Sequence, residues 1–194
     1  GSDIAGRVEA IGAEVTRFQP GDEVFGDNLG LKGGFAEFAV APESVLAHKP
    51  AGLTFAEAAV IPQSGAIALQ GTAAARPGST VLINGGGGGS GMFAIQLAKR
   101  AGAFVTGVDN EGKLDFMRDL GADQVIDYRR DDFTRGAESY DLILDLVAHR
   151  SPLAYRRVLR HGGRYMCVGG SVPTLLGVAT VGAAAGLLTG RRLG

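Results

Sequence analysis

Residues 79–91 read Ser79-Thr80-Val81-Leu82-Ile83-Asn84-Gly85-Gly86-Gly87-Gly88-Gly89-Ser90-Gly91. Thr80 to Ile83 is a short, mostly β-branched apolar run, the pattern of a buried strand. From about Ser90 to Ala101 the period changes. Phe93 and Leu97, and Ala94 and Ala98, stand four apart and mark one face of a helix. Between strand and helix the spacing G-x-G-x-x-G is met by Gly86, Gly88 and Gly91. Each glycine has a physical task in a phosphate-holding turn. Gly86 allows the sharp exit from the strand, Gly88 removes the side chain where a pyrophosphate touches the backbone, and Gly91 lets the helix pack close to the strand. The N–H groups of Gly89, Ser90 and Gly91, at the positive end of the helix, then hold the phosphates. A flexible linker does not sit inside a periodic strand–helix unit. No Gly-Lys-Ser/Thr follows, which excludes a P-loop. Met92 stands where the last glycine of a nucleophile elbow belongs.

Outward from the loop, strand and helix patterns alternate. Phe104–Val108 is a second strand, Lys113–Leu120 a helix stopped by Gly121, and Val125–Ile126 a third strand. Asp141–Val147 is a near-continuous apolar fourth strand, Pro152–Arg160 a helix stopped by Gly162-Gly163, and Arg164–Val168 a fifth strand. Such repeated units predict an α/β doubly wound parallel sheet. Val172 to Gly194 is rich in Ala, Gly, Leu and Val and is expected to be a helix packed on the sheet. Its apolar run falls short of the roughly 20 residues of a membrane span. Residues 1–50 lack the alternation. Ile4, Val8 and Ala10, then Glu23–Gly26, then Phe35–Val40 suggest short strands of a separate all-β region. Thr54 with Glu57 predicts a capping box opening a helix that runs to Ile61.

Composition narrows the function classes. The 194 residues carry a net charge of −1 and are 45% apolar, so a core is affordable and neither nucleic acid nor a membrane surface is an expected partner. A single cysteine, Cys167, rules out a disulfide framework and zinc sites built on paired cysteines, and points to a reducing, cytoplasmic setting.

Several ordered motifs carry a resemblance. Gly86-Gly87-Gly88-Gly89-x-Gly91 with Leu82, Gln96 and Lys99, together with Leu120-Gly121-Ala122-Asp123 and Val125-Ile126-Asp127-Tyr128, resembles the quinone oxidoreductase and ζ-crystallin branch of the medium-chain dehydrogenase/reductase superfamily. Gly1–Val8, Pro20–Val24 and Gly34–Phe38 are similar to its GroES-like catalytic domain. Ser79, Ser90 and Ile67 depart from the common pattern. The resemblance implies a partial GroES-like domain over residues 1–55. It also implies a Rossmann domain over 56–194 whose last strand is missing, with the chain truncated at both ends and a homodimer at full length. A fragment of this kind is expected to be inactive alone.

Zinc-dependent relatives carry Gly-His-Glu where this chain has Gly1-Ser2-Asp3, so no metal is expected. Without a Lewis acid the acceptor must already be activated: a quinone, or an alkene conjugated to a carbonyl. The implied activity is hydride transfer from NAD(P)H to such a small-molecule substrate. A zinc-independent alcohol dehydrogenase, an enoyl-thioester reductase and a non-catalytic dinucleotide-binding protein are the alternatives. No catalytic residue is identified. Asp109 ends the second strand, 18 residues past Gly91, where a carboxylate binds an adenosine ribose and disfavours a 2′-phosphate. Lys113 and Tyr128, with Arg129 and Arg130 beside them, match the positions that hold that phosphate in NADPH-dependent relatives. The expectation tips to NADP(H), with NAD(H) open. His149 is expected on the ligand side of the fourth strand, as a cofactor contact or a loop histidine, and Asp145 as a hydrogen-bonded structural carboxylate.

Overall fold

The computed structural model describes residues 1–169, 176–177, 180, 190 and 192–193. Two compact units divide between Ala66 and Ile67, eleven residues beyond the boundary expected at 55/56.

In the first unit, β1 (Asp3–Arg7), β2 (Glu23–Asp27) and β3 (Leu46–His48) form an antiparallel sheet in that order. Phe25 pairs with Ala5 on one side and Ala47 on the other. The third strand is not the expected one. Phe35–Val40 forms no strand: residues 35–37 bend and 38–40 are irregular, with Phe35 95% exposed. Its apolar residues suit a short strand, but among the described residues no strand runs alongside to complete a ladder. Its far end is tied by the buried Asn28, whose Nδ2 donates to the Val40 carbonyl at 2.9 Å. Helix α1 (Phe55–Ala58) opens with the capping box read from Thr54 and Glu57, and ends at Ala58 rather than at Ile61. A second helix, α2 (Pro62–Thr72), follows at once.

The second unit is built on β4 (Thr80–Asn84), α3 (Gly89–Arg100), β5 (Phe104–Asp109), α4 (Leu114–Asp119), β6 (Gln124–Asp127), β7 (Tyr140–Asp145), α5 (Pro152–Val158), β8 (Leu159–Cys167) and β9 (Arg192–Leu193). The sheet runs β6-β5-β4-β7-β8-β9, with every pair parallel. This is the doubly wound order, and its direction reverses between β4 and β7. The sixth position, expected to be empty, is taken by the two residues of β9 beside Arg164 and Tyr165. The helix expected over Val172–Gly194 lies largely outside the described residues. Helix α5 stops at Val158, short of Arg160, because Leu159 already pairs with Tyr140 and begins β8.

The strands carry apolar side chains to both faces, which fits the continuous rather than alternating pattern of their sequences. Val81 and Ile83 of β4 join Ile95 and Ala98 of α3 and Met117 of α4 in one core. Leu82 joins Ile143, Tyr155 and Tyr165 in a second core on the opposite face. Val81, Leu82 and Ile83 are wholly buried, and each contributes roughly 1.5–3 kcal/mol by leaving water. Among the described residues no helix is long and apolar enough to cross a membrane.

Candidate dinucleotide site

At the carboxyl ends of β4, β5 and β7 lies a cavity of about 680 Å³. Parallel strands whose connections diverge leave a crevice at this place, because the loops after β4 and β7 turn to opposite faces. The cavity is lined by Gly88, Gly89, Ser90 and Gly91 on one side, Asp109, Lys113 and Tyr128 on another, and Leu146, Val147, His149 and Arg150 opposite. Seven of the eight residues singled out in the sequence therefore share one space, and Gly86 is not among its lining.

The loop is shaped by two demands. The chain leaves β4 through Gly85 at φ +85°, so the sharp turn sits one residue earlier than the fingerprint spacing suggested. Gly86 serves close packing instead, since a Cβ there would meet Met117 Sδ at 2.7 Å. Gly91 also permits a close approach, because a Cβ would press into the Gly85 carbonyl oxygen and lie 2.6 Å from that of Gly86. Gly88 is different. A Cβ there has one neighbour within 4 Å, the Gly85 oxygen at 3.3 Å. Gly88 is also the N-cap of α3 and has no side chain to cap it. The first-turn N–H groups of Gly89, Ser90 and Gly91 have no partner within the helix and border the cavity. A twelve-residue helix directs its positive end to the same place.

Asp109 is almost wholly buried and its carboxylate is already engaged. Oδ2 accepts the Gly87 N–H at 3.0 Å, and Oδ1 accepts the Asn110 backbone N–H at 2.8 Å and Nδ2 at 3.0 Å. It braces the glycine loop from β5. Lys113 Nζ lies 3.5 Å from Oδ2 and the lysine stays about half exposed. Tyr128 borders the cavity, with the Arg129 guanidinium 5.7 Å from its ring centroid. Arg130 turns elsewhere, to Glu111 at 2.6 Å and Asp127 at 3.6 Å, and neither Arg129 nor Arg130 lines the cavity.

The opposite wall includes residues that periodicity did not single out. Arg150 bonds Asp132 at 2.8 Å and lies over the Phe133 ring at 4.8 Å, which joins the β6–β7 and β7–α5 loops at the rim. Asp145 is fully buried and accepts from Asn84 Nδ2 and Ala148 N at 2.8 Å and from the Tyr165 hydroxyl at 2.9 Å, as expected of a structural carboxylate. Burial and then the Asp145 charge push the Tyr155 and Tyr165 hydroxyls far above their ordinary pKa. Cys167 is half-buried, bonds the Gly169 carbonyl at 3.2 Å, and has its thiol pKa raised by burial. Among the described residues no three His, Cys, Asp or Glu side chains gather as a metal site.

The family model described as zinc-binding dehydrogenase matches residues 89–185, and that of the alcohol dehydrogenase GroES-like domain matches residues 1–51. The chain is 35% identical over 183 residues to 2-methylene-furan-3-one reductase of Solanum lycopersicum, covering 89% of this chain and 47% of that protein. It is 32% identical over 184 residues to the chloroplastic NADPH-dependent alkenal/one oxidoreductase of Arabidopsis thaliana, covering 89% of this chain and 47% of that protein. The chain thus spans about half the length of these relatives. The solved quinone oxidoreductase of Coxiella burnetii superposes with a TM-score of 0.83 at 29% identity, covering 99% of this chain and 60% of that one. Matched over both its units and carrying the doubly wound sheet with its glycine loop, this chain belongs to the medium-chain dehydrogenase/reductase family, in its quinone oxidoreductase branch.

Proposed function

We propose that the chain binds NADP(H) in the β4–β5–β7 cavity and serves a reductase whose acceptor is a quinone or an α,β-unsaturated carbonyl. The observation that carries the reading is the glycine loop, where uncapped N–H groups of Gly89, Ser90 and Gly91 border a cavity against which Gly88 presents no side chain. That is a cradle for a pyrophosphate. When bound, the dinucleotide supplies a hydride. The chain's own part is to hold and orient it. The names of the two plant relatives, a furanone reductase and an alkenal/one oxidoreductase, support an activated alkene as acceptor. The metal-free part of the reading rests on Ser2 and Asp3 standing where zinc-dependent relatives carry His and Glu.

Asp109 bears on the choice of cofactor. Its oxygens accept from the Gly87 N–H and from Asn110, and Lys113 offsets its charge. It therefore acts as a brace of the loop more than as a ribose selector, and Lys113 and Tyr128 are left facing the cavity for a 2′-phosphate. The test is titration of the chain and of Lys113→Ala with NADPH and NADH. Loss of one charge-assisted bond of about 1.5 kcal/mol predicts a Kd for NADPH raised about tenfold, with that for NADH within about twofold. Tighter binding of NADH than NADPH, unchanged by Lys113→Ala, refutes the assignment. Turnover with a quinone and with an enone tests the acceptor class.

A further inference from the structure

The mechanism as proposed leaves unused the most deeply buried charge near the site. Asp145 is fully buried at the end of β7, directly beside Asn84 at the end of β4. Among the described residues no cation pairs with it. Four donors converge on it instead: Asn84 Nδ2 at 2.8 Å, Val147 N at 3.3 Å and Ala148 N at 2.8 Å on Oδ1, and the Tyr165 hydroxyl at 2.9 Å on Oδ2. A buried carboxylate is unfavourable unless its lone pairs are satisfied in this way.

What those donors belong to gives the network its direction. Asn84 is the last residue before the glycine loop, and its carbonyl also accepts the Leu146 N–H at 3.0 Å. Val147 and Ala148 belong to the turn whose Leu146 and Val147 line the opposite wall of the cavity. Ala148 sits at φ +41°, a left-handed conformation that a non-glycine residue holds only when its surroundings impose it. Its N–H on Asp145 is that imposition. The turn then packs directly on the loop: a Cβ on Gly85 would lie 2.7 Å from Val147 Cγ2.

We propose that Asp145 is a positioning residue of the dinucleotide site. It clamps the Leu146–Ala148 turn against Gly85 and so sets the width of the cleft between the glycine loop and the facing wall. This rests on the dinucleotide reading above. Asp145 touches no ligand. It acts through Asn84, Val147 and Ala148.

Asp145→Leu keeps the branching at Cγ, adds some bulk, and removes every acceptor. Asp145→Asn keeps an oxygen for the Oδ1 donors and turns its amide toward the Tyr165 oxygen. Two readouts are taken: the Kd for NADPH by fluorescence titration, and backbone amide exchange over residues 80–91 and 146–149. In Asp145→Leu the 146–149 amides exchange faster, β4 stays protected, and the Kd rises about tenfold, while Asp145→Asn restores both to within about twofold. An unchanged Kd despite faster exchange at 146–149 overturns the proposal, as does equal acceleration in β4, which makes Asp145 a support of the whole sheet. If Asp145→Leu does not fold, Tyr165→Phe carries the comparison. A Kd raised about threefold with faster 146–149 exchange supports the clamp, and values unchanged from wild type overturn it. Wild-type chain that binds no NADPH refutes the dinucleotide reading itself and takes this proposal with it, an outcome distinct from a variant effect.

Discussion

Replacing Gly91 by alanine separates the two uses to which the loop puts its glycines. The added Cβ would lie 2.6 Å from the Gly86 carbonyl oxygen and 2.7 Å from its carbon, and closer still to the Gly85 oxygen. These are backbone atoms and cannot rotate away. Carbon needs roughly 3.5 Å, so the start of α3 must withdraw by about 1 Å. The buried Ala94, Ile95 and Ala98 on the same helix withdraw with it. Overpacking of this kind costs about 1–3 kcal/mol, and alanine returns up to about 1 kcal/mol of helix propensity. The net loss is then about 1–2 kcal/mol, a fall in Tm of roughly 2–8 °C for a chain of this size. Gly88→Ala is the control. Its backbone is extended, at φ −94° and ψ 175°, and its Cβ meets only the Gly85 oxygen at 3.3 Å. Stability should change by less than about 1 kcal/mol, while a methyl in the phosphate cradle weakens NADPH at least about tenfold. Thermal melts followed by circular dichroism and NADPH titrations of both variants decide the matter. A Gly88→Ala melt as depressed as that of Gly91→Ala refutes the packing argument. Unchanged NADPH affinity in Gly88→Ala refutes the cradle.

Two further outcomes follow from the charges. Asp109→Ala orphans the Gly87 and Asn110 N–H groups, so it should weaken NADPH and NADH alike, by about 1–3 kcal/mol, in parallel titrations. A selective gain for NADPH shows instead that the carboxylate is a selector. Burial pushes the Asp141 carboxyl up, but the Thr80 N–H and hydroxyl and the Arg160 guanidinium outweigh it and hold the pKa below the ordinary value. A depressed folded pKa adds stability above the unfolded pKa of about 4, and that stability is lost as pH falls through the lower folded value. Asp141→Asn should therefore melt lower than wild type near neutrality, and the gap should close below about pH 4. A gap independent of pH shows that the shift contributes nothing.

How much was legible follows from what each signal encodes. The β4–loop–α3 unit was plain because strand period, glycine run and helix period change within twelve residues. The turn residue was placed one position late because a run of glycines satisfies the fingerprint spacing without saying which member takes the positive φ. Spacing brought Asp109 to the cavity, but its use depends on the Gly87 N–H, which only the folded loop presents. Phe35–Val40 is apolar enough to read as a short strand, yet such a run does not say whether a partner strand exists. The link between Asn84 and Asp145 joins residues 61 apart, and no periodicity connects them. Nor did the arginines after Tyr128 separate in sequence, since Arg130 is drawn off by Glu111 across the β5–α4 turn.

The paired tyrosines beside Asp145 make this chain its own optical probe. It has no tryptophan, so ultraviolet emission comes from four tyrosines. Two of them, Tyr155 and Tyr165, lie with ring centroids 4.6 Å apart, and the Tyr165 hydroxyl donates to a carboxylate. A phenol bonded to a carboxylate quenches in its excited state by giving up its proton, and a close neighbour exchanges excitation with it. Folded protein should therefore be dim in the ordinary region of tyrosine emission, and should brighten as β8 parts from β7, with no label attached.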